Sequence, residues 1–320
     1  MPTAREIQKR IRSVKNIAQI TRALEAVSAS KVRRAQARVL ASRAFSEKAW
    51  EILLNIQQAS VHGEPLHPLL TRREEVRNVM IVLITADRGL AGGYNTNITR
   101  AALRFADRLK LPVEFVTIGR KGRDSLIRQG QNVVAQFSDL PADTTIADIA
   151  PVARLAMNAF LSGEVDHVYI AYTDFINTLT QRPAVITWPP LMSGLENVEL
   201  VAAEYSGGSR HAPELSGPAL DYEYEPSPEA VLDEIVPRFA ELQLYQAVLE
   251  SQASEHSARM VAMRNASDNA VALTADLTLL YNKARQAAIT AEILDIVGGT
   301  EALQSMIEKT ADIVEAGLTV

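Results

Sequence analysis

Apolar residues recur in steps of three and four along the first sixty positions: Ile7, Ile11, Val14, Ile17 or Ala18, Leu24 and Val27. That spacing gathers them on one face of a helix. Ala23, Ala26 and Ala29 are small enough to let a partner helix approach closely. The last third repeats the pattern with Leu232, Ile235, Phe239, Leu242, Leu249, Met260, Met263, Leu273, Leu277, Leu280, Ile289, Ile293 and Ile296. Its stretch from Ser251 to Ala272 is rich in Ala and Ser, which again suits tight packing. No Gly or Pro lies between Thr3 and His62, or between Arg238 and Val297. Those two residues disfavour a helix interior by about 1 and 3 kcal/mol relative to Ala. The pattern therefore predicts two helices, each on the order of 90 Å long at 1.5 Å per residue. Pro226, Pro228 and Pro237 mark the start of the second, and Gly298-Gly299 interrupt it. Beyond them, Leu303, Met306, Ile307 and Ile313 suggest a short amphipathic tail. Because a compact segment joins the runs, an antiparallel coiled coil is the economical arrangement. The predicted division is 1–62 and 228–297 for the coiled-coil helices, 63–227 for the segment between them, and 298–320 for an extension.

Between the two runs, strand and helix signals alternate. Asn78–Thr85 is a short unbroken apolar run, the mark of a strand buried on both faces. A Gly-rich turn follows, then a helix from Thr96 to Leu109. Val113–Ile118 reads as a second strand, Lys121–Arg128 as a helix, and Asn132–Phe137 as a third strand. Ile146–Leu161 reads as a helix and Val165–Tyr172 as a fourth strand, with later strands at Ala184–Trp188 and Val198–Val201. This order predicts a doubly wound, Rossmann-like α/β domain. Residues 206–220 read as an exposed insertion.

Composition narrows the function classes. Of 320 residues, 47% are hydrophobic and 22% charged, enough for a buried core. There are no cysteines, which excludes disulfides, thiolate metal sites and thiol switching. No apolar run approaches the about 18 residues of a membrane span, and the N-terminus lacks a signal-peptide core. The net charge of −5 hides an asymmetry. Thr3–Ser60 holds 12 Lys and Arg against 4 Asp and Glu, whereas Ser227–Val297 holds 5 against 10. Opposite charges favour pairing of the two helices, but exposed ion pairs contribute only about 0–1 kcal/mol each, so apolar seams must decide it.

Candidate chemistry is sparse. Thr85–Asn95 (TADRGLAGGYN) sits between a strand and a helix, where α/β folds hold phosphates. It lacks the Gly-Lys-Ser/Thr of a Walker loop, and its glycines run G-x-x-G-G rather than G-x-G-x-x-G. Gly119 stands where a ribose-binding carboxylate is required. The segment reads as a structural turn. His62 and His67 flank Pro65 in a loop without the carboxylates of a metal site, and no G-x-S-x-G elbow occurs. The basic cluster Lys31, Arg33, Arg34, Arg38 and Arg43 has no interleaved aromatics. It suits an acidic protein partner better than nucleic acid.

Four stretches in fixed order carry a resemblance: Ile20–Arg34 (ITRALEAVSASKVRR), Thr85–Asn95, Glu255–Asn269 (EHSARMVAMRNASDN) and Tyr281–Gly299 (YNKARQAAITAEILDIVGG). Tyr222–Glu234 fits as well. Through these the chain resembles the gamma subunit of rotary, F-type ATP synthases along nearly its whole length. The resemblance implies a non-catalytic central stalk without cofactors, coupling proton-driven rotation of a c-ring to the catalytic β subunits. Its partners would be the α and β subunits, the epsilon subunit and the c-ring, at the cytoplasmic face of a bacterial plasma membrane. By matching position, Leu24 falls in the upper coiled coil, and Lys31, Arg33 and Arg34 match basic positions facing acidic β-subunit loops. Arg259 lies near that contact on the facing helix. Arg285, Gln286, Thr290 and Glu292 match hexamer contacts near the C-terminal tip, and Tyr224 and Glu225 the foot near the ring. Family members end soon after the segment matching Ile296–Gly299, whereas this chain continues. Two rivals from other classes are a nucleotide-dependent enzyme using the Gly89–Asn95 turn and a cytosolic coiled-coil adaptor.

Overall fold

The computed structural model describes residues 3–59, 67–71, 73, 75–188 and 228–317, with side chains described outside 42–59, 228–229, 308 and 310–317. The chain divides into two compact units. A helical unit comprises Met1–Ala23 with Arg264–Val320, and a second unit comprises Leu24–Met263.

Helix α1 (Ala4–Ala59) runs 56 residues without interruption. In the helical unit its buried or half-buried positions are Ala4, Ile7, Ile11, Val14, Ala18 and Thr21, spaced alternately by three and four. The facing helix, α5 (Pro228–Gly317, 90 residues), answers with Ser267, Ala270, Thr274, Leu277, Tyr281 and Ala284 at the same spacing. A 3.5-residue repeat is the signature of a left-handed coiled coil, here antiparallel. Ile17 and Val27 are about half exposed, so the seam passes instead through Ala18, Thr21 and Ser28. Hydroxyls can sit in it because they return to their own helix. Thr21 Oγ1 donates to Ile17 O at 3.0 Å, Ser28 Oγ to Leu24 O at 2.7 Å and Thr274 Oγ1 to Ala270 O at 2.8 Å. The expected apolar seam of α5 is corrected likewise: Leu273, Leu280, Ile289, Ile293 and Ile296 are exposed.

Helix α5 starts at Pro228, where the second long helix is expected, and carries Pro237 inside it. The missing N–H there is tolerated where Leu232, Val236, Phe239 and Ala240 are all buried in one apolar cluster. At the other end, α5 continues through Gly298-Gly299 to Gly317. Two glycines cost about 2 kcal/mol of helix propensity, and the run EALQSMIEKTADIVEA beyond them is composed largely of good helix formers.

The second unit is built on a five-stranded sheet. In chain order come β1 (Val79–Ile84), α2 (Tyr94–Leu109), β2 (Val113–Ile118), α3 (Arg120–Arg128), β3 (Val133–Phe137), α4 (Ile146–Ser162), β4 (His167–Phe175) and β5 (Gln181–Trp188). Strand order is β3-β2-β1-β4-β5, parallel except for β5, which forms an antiparallel hairpin with β4. All six residues of β1 are buried, as a central parallel strand requires. Val79, Ile81 and Leu83 face Ile98, Ala102 and Phe105 of α2 and Leu126 of α3. Met80, Val82 and Ile84 face the cluster that contains α4 and Leu232–Val248 of α5. Helices on both faces make the sheet doubly wound. Strand β4 extends three residues past the expected Tyr172 because β5 pairs with it as far as Phe175. The expected strand at 198–201 and the 206–220 insertion lie outside the described residues.

Candidate functional site

In an open α/β sheet, ligands bind beyond the carboxyl ends of the strands where strand order reverses. Here that point lies between β1 and β4. The turn after β1 begins by tying itself to the neighbouring strand: Thr85 N–H donates to Ile118 O at 2.8 Å, and Thr85 Oγ1 accepts Gly122 N–H at 2.9 Å. Gly119 must be glycine, with φ at +97° and an added Cβ falling 2.2 Å from Thr85 O. The Asp87 carboxylate then accepts Arg120 N–H at 3.0 Å and Asp139 N–H at 2.9 Å. It thereby takes up a free amide at the start of α3, of the kind an anionic phosphate would otherwise seek. Asn95 Oδ1 accepts Ala86 N–H at 2.9 Å and closes the turn on itself.

Helix α5 covers the crevice. Ser251 Oγ accepts Thr173 N–H of β4 at 3.2 Å, and Ser254 Oγ donates to Thr173 O at 3.1 Å. One turn further, Arg259 Nη2 donates to Gly89 O at 3.2 Å and to Glu255 Oε1 at 2.6 Å. Tyr94 is buried with Ala86 and Ala91 against Ala258. A Cβ on Gly92 would stand 3.7 Å from that of Ala262. A slot of the kind that takes a dinucleotide in related topologies is thus held by the chain's own helix.

The lock is electrically loaded. Burial pushes the Glu255 carboxyl up, while the Arg259 guanidinium pulls it back toward ionisation. Burial, helped by the charges of Arg259 and Lys31, holds His256 down at about 4. Burial and the nearby Glu255 charge push the Tyr94 hydroxyl well up. Among the described residues, no cluster of three or more His, Asp or Glu could hold a metal ion. His67 is a structural residue: Nδ1 accepts Leu69 N–H at 3.0 Å and Nε2 lies 3.8 Å from Asp233. His62 lies outside the described residues.

The residues expected to meet partners fall in both units. Leu24 is half-buried, and Lys31, Arg33 and Arg34 are exposed along α1. Lys31 acts electrostatically on both Glu255 and His256, so it shares a neighbourhood with Arg259. Arg259 itself is largely buried and spends its guanidinium within the chain. In the helical unit, Arg285, Gln286, Thr290 and Glu292 are exposed, with the Thr290 hydroxyl returned to Gln286 O at 3.0 Å. From Arg285 onward every described side chain of α5 is exposed. Tyr224 and Glu225 lie outside the described residues. The Asp87 and Glu255 roles were missed from sequence. Only the i,i+4 spacing of Glu255 and Arg259 hinted at the second.

A profile of the ATP-synt family, described as ATP synthase, matches residues 3–303. The ATP synthase gamma chain of Roseiflexus sp. strain RS-1 is 47% identical over 309 residues, covering 96% of this chain and 100% of the relative. The chain belongs to the ATP synthase gamma-chain family. The gamma chain of Chloroflexus aurantiacus J-10-fl is likewise 47% identical, with 95% of this chain and all of the relative covered. Solved structures share the fold at lower identity. A chain of the Euglena gracilis mitochondrial ATP synthase (OSCP/F1/c-ring, rotational state 3) superposes with a TM-score of 0.62 at 19% identity, over 94% of this chain and 95% of that one. A chain of the Tetrahymena thermophila central stalk/c-ring gives 0.56 at 22% identity, over 78% and 99%. Among the described residues of this gamma-family chain, no helix is long and apolar enough to cross a membrane.

Proposed function

We propose that this chain is the central-stalk rotor of its ATP synthase, carrying torque from a proton-driven c-ring to the catalytic β subunits without itself catalysing a reaction. The observation that carries the reading is the 47% identity along the entire length of gamma-chain relatives. The filled crevice supports the non-catalytic part: the sheet's ligand position is occupied by Ser251–Ala262 of α5. The partners are the α and β subunits around the coiled coil, and the epsilon subunit and c-ring at the foot, with the complex at the cytoplasmic face of the bacterial membrane. Exposure supports Lys31, Arg33 and Arg34 as contacts for acidic β-subunit loops, and Arg285, Gln286, Thr290 and Glu292 as contacts near the tip. Leu24 contributes to the upper coiled coil, and Arg259 acts there through the loop it holds. Tyr224 and Glu225 are the proposed foot contacts.

Native purification through an affinity tag on this chain tests the reading. It should bring down α, β and epsilon subunits in a complex that hydrolyses ATP, whereas the isolated chain neither hydrolyses nor binds ATP. Saturable ATP or NAD binding by the isolated chain, abolished by substitutions in Gly89–Asn95, would favour a nucleotide-dependent enzyme instead.

A further inference from the structure

The two long helices are attached to the sheet in different ways. Helix α5 is part of the core: Leu232, Val236, Phe239, Ala240, Leu244 and Val248 belong to its largest apolar cluster, and Trp188 Nε1 donates to Ala240 O at 3.0 Å. Among the described side chains, helix α1 meets the same unit through a small cluster, in which Ala35 and Val39 pack against Phe175, Leu249 and Ala253. A short apolar stripe resists separation, but it fixes sliding and rotation poorly, since positions spaced by three and four are nearly equivalent along a helix. Directed polar contacts are what fix register.

Among the described residues, those contacts converge on one loop, between β3 and α4. From α1, Arg38 Nη1 donates to Ala142 O at 2.8 Å, and its Nη2 pairs with the Asp143 carboxylate. From α5, Tyr245 Oη donates to Thr144 O at 3.2 Å and Gln252 Nε2 to Thr144 Oγ1 at 2.8 Å. The Thr144 hydroxyl in turn donates to Pro141 O at 2.6 Å, and Thr144 is buried. Three consecutive residues, Ala142 to Thr144, are thus gripped by the two helices, and the next, Thr145, is held from the other side by Asp148, whose carboxylate accepts its N–H at 2.8 Å. Gln36 of α1 adds a weaker tie, Nε2 to Thr178 Oγ1 at 3.5 Å.

We infer that the Ala142–Thr145 loop is the key that fixes the rotational register of the first helix against the α/β unit, with Arg38 as its positioning residue. The inference rests on the rotor reading, in which a helix free to turn against the sheet would store torque as slack. A guanidinium suits the role because its rigid planar fork holds a carbonyl and a carboxylate in fixed directions, which the freely rotating ammonium of a lysine does not.

The test uses complete ATP synthase complexes carrying Gln36→Ala with Arg38→Ala, the hexamer anchored and a rod attached to the α/β unit. With rotation arrested, the variance of the rod's angle reports torsional stiffness. It should rise about twofold when these ties, acting in parallel and independently, are removed. Arg38→Lys should fall between. The chain has no native cysteine, so Arg38→Cys with Asp143→Cys can be bridged by a short bismaleimide, which should restore the narrow distribution. An unchanged variance in the double variant, or a widening that the bridge does not reverse, overturns the inference. A general folding defect is separable, because it lowers the yield of complex without broadening the angle in complexes that form. If the unaltered chain does not join a complex at all, the rotor reading fails first and takes this inference with it.

Discussion

Gly119 and His256 show how closely single side chains are constrained around the filled crevice. An alanine at 119 meets Thr85 O and must also adopt a φ of +97°, so neither the backbone nor the neighbour can yield. Gly119→Ala should destabilise the chain by about 3 kcal/mol or more, read as a lower urea midpoint with unchanged slope. Gly130→Ala is the control, because open space surrounds that glycine and only its φ of +70° is unfavourable. It should cost clearly less. His256 makes stability depend on pH. Its ordinary value of 6.5 is held down to about 4 in the fold. The unfolded chain therefore binds the proton first as pH falls from 6.5, and the folded form loses stability until about pH 4. The loss from this group alone is on the order of 3 kcal/mol. Glu255, raised by burial, shifts the opposite way, favouring the fold as its carboxylate protonates. His256→Asn should flatten the acid side of the stability curve. An unaltered slope between pH 6.5 and 4 would show that the imidazole does not carry it.

Among the elements, the strands and the helices between them were legible because each has a sharp local signature: β1 is six apolar residues closed by a Gly-rich turn. The coiled-coil seam was less so. Its positions at Thr21, Ser28, Ser267 and Thr274 are small and polar, and they pack only because their neighbours are small and the Thr21, Ser28 and Thr274 hydroxyls are satisfied locally. A search for large apolar residues instead finds Ile17 and Val27, which face outward. The path of α5 through Gly298-Gly299 was illegible for another reason. Local propensity argues for a break there, and only the strong helix-forming sequence on both sides decides against it. Nothing lies within 4 Å of an added Cβ at either glycine. Gly298→Ala with Gly299→Ala should therefore stabilise that segment by about 2 kcal/mol. Amide exchange of residues 300–309 in the isolated chain would slow accordingly. If exchange there is unchanged, the helix beyond the glycines is not limited by them.

For the molecule as a whole, family membership was readable from ordered motifs, and the match over residues 3–303 bears it out. The contacts that join distant segments were not readable. Asp87 reaches residues 33 and 52 positions away, and Gln252 meets Thr144 across 108. No local pattern announces a partner at such range, because the pairing depends on the topology of the sheet. Both sets of contacts belong to the unit Leu24–Met263, which should unfold as one cooperative transition. Truncation after Met263 should leave that transition intact by near-UV circular dichroism while removing Arg264–Val320 from the helical unit. Loss of the near-UV signal on truncation would mean that the unit depends on the helices beyond it.

The helix lying in the nucleotide crevice has one more consequence. A rotor of an ATP synthase works among the reactants and products of its own machine, at concentrations that rise and fall with the energy state of the cell. A doubly wound sheet with an open slot would be exposed to every such swing, and its shape would drift with the supply of adenine nucleotides. With Ser251–Ala262 seated in that slot, the form of the chain should not respond to the molecules it helps to produce.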